Sequence, residues 1–175
     1  MRLWIAGTAL ALTLGCASAQ TVPDWLSFQA PSGVFVVDMP RSPTITTAAN
    51  VEQAGDSVPV TKYIIDEGPV AYIVMDADFT ASPDSLSIDG AVQGMQSDGR
   101  VMTSENVIAR DGHEGRSATL TDKNGFQLTD LAFIIGRHFY QAITVVPKDA
   151  TPAQIADAAR FAQSFHFTVS QGGRY

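Results

Sequence analysis

The chain has a single cysteine, Cys16, and it falls within the first twenty residues. Once the segment carrying it is removed, the remainder has no thiol. It can form no disulfide even in an oxidising compartment, so its stability must come from burial. The short motifs of nucleotide binding and nucleophilic catalysis are also missing. There is no Walker loop, no dinucleotide fingerprint, no Gly-x-Ser-x-Gly elbow and no Ser-x-x-Lys. A triad assembled from distant positions among the three histidines and the serines stays open, because triads are geometric. Basic residues are few: 11 Lys and Arg stand against 18 Asp and Glu, for a net charge of -7. Losing Arg2 with a leader would bring this to about -8. An acidic surface repels nucleic acid and anionic membranes, so neither is expected as a partner. The acids are scattered singly or in pairs, which is the pattern of a solvated surface. Beyond the leader no apolar run approaches the ~20 residues of a transmembrane helix.

What the sequence does have begins with a leader. Met1-Arg2 is a short basic region, Leu3 to Leu14 is apolar, and Ala17-Ser18-Ala19 is an A-x-A cleavage pattern. The expectation is a signal peptide over residues 1–19, cleaved after Ala19, and a periplasmic or secreted domain over 20–175. The alternative is lipoprotein processing at Cys16. Thr13 stands where the lipobox usually has Leu.

The run from Asn106 to Pro147 organises the rest. It reads as three consecutive antiparallel strands, with turns at Lys123-Asn124-Gly125 and Gly136-Arg137. Leu131, Phe133 and Ile135 alternate with Ala132 and Ile134, so this strand is apolar on both faces and belongs inside a sheet. Trp25 to Gln29 and Val34 to Asp38 predict an N-terminal hairpin, ended by Met39-Pro40. Thr44 to Ala54 is compatible with a strand or a loop. Val58 to Asp66 and Val70 to Ala77 read as strands. Ser82-Pro83-Asp84 predicts the start of a helix, with Ile88, Ala91, Val92 and Met95 as its apolar stripe and Asp98-Gly99 as its end. Gly90 and Gly94 on that helix suggest close approach to a sheet, or contact with a ligand. Thr151, Pro152 and Gln154 predict a capping box opening a second helix. Ile155, Ala158, Ala159, Ala162 and Phe165 are its expected buried side. Phe165 to Val169 reads as a last strand. The fold class expected is α+β: one domain with a mostly antiparallel twisted sheet and two main helices.

The candidate binding residues are Asp111, His113, Glu114 and Arg116. In an extended chain Asp111 and His113 would share a face and Glu114 would take the other. Two such ligands are too few for a closed metal site; Asp76 and Asp78 could supply more carboxylates, but nothing in the sequence brings them near, and no metal or other cofactor is expected. The bland alternative is a polar strand-end turn. Arg116 could receive an anion or pair with a nearby acid such as Glu114 or Asp130. His138 and His166 read as sheet residues rather than catalysts.

Several segments together resemble PsbP-like domains. Trp25 to Phe28, Gly33 to Val37 and Met39-Pro40 are similar to the family's opening. Gly112-His113-Glu114-Gly115-Arg116 and Gly136-Arg137-His138-Phe139-Tyr140 are similar to its central meander. Phe161 to Phe167 is similar to its closing Phe-x-x-Ser-Phe signature. The resemblance implies the αβα sandwich of that family, also described as DcrB-like, and a mostly non-catalytic role. The function expected is an exported, non-enzymatic accessory or binding protein of the bacterial envelope, with an envelope protein as partner. A periplasmic small-ligand or metal-binding protein, and a hydrolase without a local motif, are the alternatives. Oligomeric state is left open.

Overall fold

The computed structural model describes residues 25–51, 57–83 and 86–168. The leader, Cys16, the Gly55-Asp56 turn, Asp84 and the C-terminal tail lie outside the described residues. Among those described there are ten strands: β1 (Leu26–Gln29), β2 (Phe35–Met39), β3 (Thr44–Val51), β4 (Ser57–Glu67), β5 (Val70–Asp78), β6 (Val101–Arg110), β7 (His113–Thr121), β8 (Gln127–Ile135), β9 (His138–Val146) and β10 (His166–Phe167). The two α-helices are α1 (Ile88–Met95), between β5 and β6, and α2 (Pro152–Ser164), between β9 and β10. No described helix is long and apolar enough to cross a membrane.

The strands form two antiparallel sheets. One has seven strands in the order β3-β4-β5-β9-β8-β7-β6, and the other has three in the order β1-β2-β10. A single sheet was expected, and the N-terminal hairpin departs from that expectation. β2 buries Phe35, Val37 and Met39 completely. These residues lie in the same apolar cluster as α2 and one face of the large sheet, so the hairpin packs onto that face instead of extending the sheet edge. The predicted closing strand follows it, because β10 pairs with β2.

The predicted meander has four strands, not three. β6 and β7 are joined by a two-residue turn at Asp111-Gly112, with Arg110 paired to His113. Both turn residues have positive φ, 51° and 84°, the pattern of a type I′ hairpin turn. Asp-Gly is one of the best sequences for such a turn, because Gly has no Cβ and Asp tolerates the left-handed region. β8 lies between β7 and β9, and Asp130 to Phe133 are all buried.

Side-chain alternation divides the large sheet into two faces. Tyr63, Ile65, Tyr72, Val74, Leu131, Phe133, Tyr140 and Ala142 pack with β2, Phe161 and Phe165. Val60, Ala77, Ala118, Leu120, Ala132 and Phe139 pack with Val92 and Met95 of α1.

Both helices differ in detail from the pattern read in the sequence. α1 starts at Ile88, capped by Ser87, whose Oγ accepts from Gly90 N–H. The Ser82-Pro83 segment precedes it. Beyond Met95 the chain makes a 3-10 turn over Ser97–Gly99, and Gly99 has the positive φ of a terminating glycine. α2 has the predicted capping box, and Ala158, Ala162 and Phe165 face the core as expected, but Phe161 joins them fully buried, whereas Ile155 is 55% exposed and Ala159 is also exposed. Phe161 buries far more apolar surface than an alanine, and it sets the orientation.

Candidate functional site

The turn at Asp111-Gly112 determines where the four candidate residues go. The Asp111 carboxylate accepts from the Phe167 backbone N–H at 2.8 Å and lies 3.3 Å from His166 Nδ1. His113 is buried and meets the Phe167 ring edge-on at 5.3 Å. These two residues therefore come together at β10, brought there by a turn and not by an extended strand. Glu114 and Arg116 lie on the α1 face. Arg116 is within 3.4 Å of Glu114, 3.5 Å of Glu105 and 4.0 Å of Asp89 on α1. The structure thus splits the set into two pairs on opposite faces of the sheet. Arg116 pairs with Glu114, as one reading had it, but not with Asp130.

Asp76 and Asp78 lie on β5, separated from β7 by β9 and β8. They flank His138, whose Nδ1 is 2.8 Å from Asp76 and whose Nε2 is 3.8 Å from Asp78. The imidazole also stacks on Tyr140, with 14° between the planes. Among the described residues, no group of three or more His, Cys, Asp or Glu is arranged to hold a metal ion.

Sequence reasoning missed Arg110. Its Nη1 donates to the carbonyls of Ala162 at 2.6 Å and Phe165 at 2.8 Å. A cation on the carbonyls at the C-terminal end of α2 complements the negative end of the helix dipole. Burial lowers the Arg110 pKa, and the Asp111 charge next to it works in the opposite direction.

It also missed a half-open cavity of about 500 Å³ on the α1 face. Ala91, Gly94 and Met95 of α1 and Arg100 border it, and Ile73, Met75, Ile143 and Val145 are among its apolar lining. Lys62 and Arg100 supply cations, and Asp130 and Gln141 supply the other polar groups. The large sheet explains this arrangement. α1 packs most closely against β7 and β8, and it leaves the part of β9, β5 and β4 around Ile143, Ile73, Met75 and Lys62 open.

Asp130 is only 4% exposed. Gln141 Nε2 donates to its Oδ2 at 2.6 Å, and its Oδ1 has no hydrogen-bond partner. Burial pushes the carboxyl up to about 7, against the Gln141 hydrogen bond and the charge of Arg100. A buried acid with one oxygen unsatisfied costs stability, and groups of this kind concentrate at functional sites. A signal for it was present: alternation along Leu131, Ala132 and Phe133 places Asp130 inward on the face of Ala132 and Ile134. Gly94 is open to this cavity, with nothing within 4 Å of where its Cβ would stand. The close helix-to-sheet approach suggested for it is therefore absent.

No protein-family model and no curated protein sequence matches the chain. A solved structure does. The solution structure of cyanobacterial PsbP (CyanoP) from Synechocystis sp. aligns with a TM-score of 0.52 at 13% sequence identity, covering 88% of this chain and 98% of that one. At that identity the likeness concerns the fold alone. With its two helices and two antiparallel sheets, the chain has a PsbP-like fold.

Proposed function

We propose that this chain is an exported, non-catalytic binding protein of the bacterial cell envelope, built as an αβα sandwich, and that its binding site is the cavity bounded by α1. The leader pattern and the PsbP-like fold support the first part. The observation that carries the second is Asp130, a lining residue of an open, largely apolar cavity whose buried carboxyl has one oxygen, just beneath the cavity surface, without a hydrogen-bond partner. A concave apolar site with a few convergent polar groups is the usual form of a small-molecule pocket, and its volume lies in the usual range. Tyr63, Tyr72 and Tyr140 take no part in it and fill the core on the opposite face.

The test is native mass spectrometry of the protein recovered from its own envelope fraction. The expected result is a mature chain beginning at Gln20 that carries a small-molecule adduct, with the adduct lost in Gly94→Trp. A chain recovered in the cytoplasm with its leader intact would remove the export reading. A lipidated Cys16 would replace periplasmic release with membrane anchoring. An adduct that survives Gly94→Trp would remove the cavity.

A second reading, docking to an envelope protein, is favoured by β6. It is an edge strand of the large sheet, and Val101 and Val107 on it are 64% and 65% exposed. Free strand edges pair readily with a further strand. Cross-linking from Val107→Cys to an envelope partner, set against the same change at exposed Thr46 on the opposite edge, distinguishes this reading from the cavity.

A further inference from the structure

Resting on the reading of the cavity as the binding site, we infer its ligand class: an apolar-bodied carboxylate, with its acid group between Asp130 and Arg100 and its hydrocarbon part on Ile73, Met75, Ile143 and Val145. The inference stands on charge, on hydrogen-bonding capacity and on the shape of the lining.

Charge comes first. The protein as a whole is acidic, at -7. The cavity is the reverse: Lys62 and Arg100 line it against the single acid Asp130. Neither cation is within ion-pair distance of an acid among the described residues. The other arginines mostly do have such partners: Arg41 pairs with Glu67, Arg116 with Glu105 and Arg160 with Asp38. A cationic ligand would have to displace this balance, whereas an anion completes it. Arg100 is also the cation whose charge is felt at Asp130, so the positive end and the free carboxyl oxygen belong to one locality. A guanidinium presents a planar fork suited to a carboxylate.

Hydrogen bonding comes second. Asp130 Oδ2 is used by Gln141, and Oδ1 is free. When the buried side chain is neutral, Oδ1 becomes an O–H donor with no acceptor in the protein. Oδ1 lies beneath the cavity surface, so a ligand carboxylate supplies that acceptor once the Asp130 carboxyl turns toward the opening, and the O–H···O⁻ bond it then forms is of the strong, charge-assisted type.

Shape comes third. Ile73 pairs with Ile143 across the β5–β9 ladder, with Met75 two residues along β5 and Val145 two residues along β9, so the apolar side chains run diagonally across two strands. Lys62 lies on β4 and Asp130 on β8, three strand spacings apart, or roughly 14 Å. The apolar diagonal between them accommodates a hydrocarbon body, and the polar groups mark its ends.

The experiment is isothermal titration of the mature protein with octanoate, octylammonium and octan-1-ol as probes. Octanoate is expected to bind at least tenfold tighter than either of the others. Arg100→Gln is expected to weaken octanoate at least fivefold. Asp130→Leu, which removes the donor, is expected to do the same, whereas Asp130→Asn, which keeps an N–H donor, stays within about twofold of the parent. Gly94→Trp, which fills the cavity from an open position on α1, is expected to abolish binding. Octylammonium binding as tightly as octanoate or tighter, and lost in Gly94→Trp, overturns the carboxylate class while leaving the cavity as a binding site. Octanoate binding unchanged by Gly94→Trp overturns both, as does no binding of any probe in a protein with intact cooperative unfolding.

Discussion

The two faces of the seven-stranded sheet are built on opposite principles. On the α2 face, aromatic rings interlock. Phe35 lies 5.4 Å from both Tyr63 and Phe165, Phe133 lies 5.1 Å from Phe167, and Tyr72 lies 5.4 Å from Phe161. Arg110 binds the carbonyls at the end of α2 and fixes the helix over this core. On the α1 face, an eight-residue helix covers only part of the surface and leaves a cavity beside a half-satisfied acid. The contrast separates two tasks. One face supplies the burial that a chain without disulfides requires, and the other keeps space and a poised polar group that folding alone would not select.

The largest expected effect tests the first half of that contrast. Phe161 is fully buried. Phe161→Ala leaves a cavity in a close-packed region and is expected to cost about 3–5 kcal/mol, read by urea denaturation. Met95→Ala, at the border of existing open space, is expected to cost about 2 kcal/mol, the low end for such a truncation, because less packing is lost. Equal losses would mean that the α1 face is as tightly packed as the other.

Asp130 provides the next test. Its folded-state pKa, about 7, lies above the ordinary value of 3.8. The folded protein therefore keeps this proton where the unfolded chain has released it. Stability from this group is fully present below about pH 4 and is lost as pH rises through 7. By linkage the loss is at most about 4 kcal/mol. Urea midpoints for the parent are expected to fall between pH 5 and pH 8, and Asp130→Asn is expected to flatten that fall. The same slope in both proteins would remove Asp130 as its source.

A third test makes one substitution on each face and expects opposite signs. Gly115 on β7 has no room: an added Cβ would stand 2.4 Å from the Ala132 carbonyl oxygen and 2.5 Å from the Phe133 ring. Gly115→Ala is expected to cost about 3 kcal/mol through overpacking. Gly94 on α1 has open space around it, so Gly94→Ala is expected to stabilise by up to about 1 kcal/mol through helix propensity. Thermal midpoints moving in the same direction would erase the distinction between the faces.

How much of this the sequence disclosed follows from the range of the signals. Local chemistry was readable: the Thr151-Pro152-Gln154 capping box, the Gly136-Arg137 turn, the apolar run of β8 and the Val92–Met95 stripe all appear in the structure. The Asp111-Gly112 turn is equally local: the strand-end turn offered beside the binding reading is present, as a hairpin that adds a fourth strand to the expected three. What could not be read was long-range. The move of β1 and β2 into a second sheet depends on β10, which pairs with β2 from 130 residues further along the chain (166 − 36). The cavity depends on which strands α1 covers. Its residues come from five strands, a helix and the Arg100 connection, so no window of sequence contains it.

The smallest expected effect compares the two helix starts. α2 opens with a reciprocal pair: Thr151 Oγ1 accepts from Gln154 N–H at 3.3 Å, and Gln154 Oε1 accepts from Thr151 N–H at 2.9 Å. α1 opens with one bond, from Gly90 N–H to Ser87 Oγ at 3.3 Å. Removing either hydroxyl by Thr151→Ala or Ser87→Ala is expected to cost about 1 kcal/mol of helix stability. The two losses are expected to reach the whole molecule differently. α2 is tied to β2, β5 and β9 and holds Phe161 in the main core, so Thr151→Ala should lower the global urea midpoint. α1 is short and borders open space, so Ser87→Ala should mainly raise amide exchange in residues 88–95, with little change in the global midpoint. If Ser87→Ala instead lowers the global midpoint as much as Thr151→Ala, then α1 unfolds only with the core. The cavity beside it would then be a rigid feature of the fold, and a ligand would have to enter without any opening of the helix.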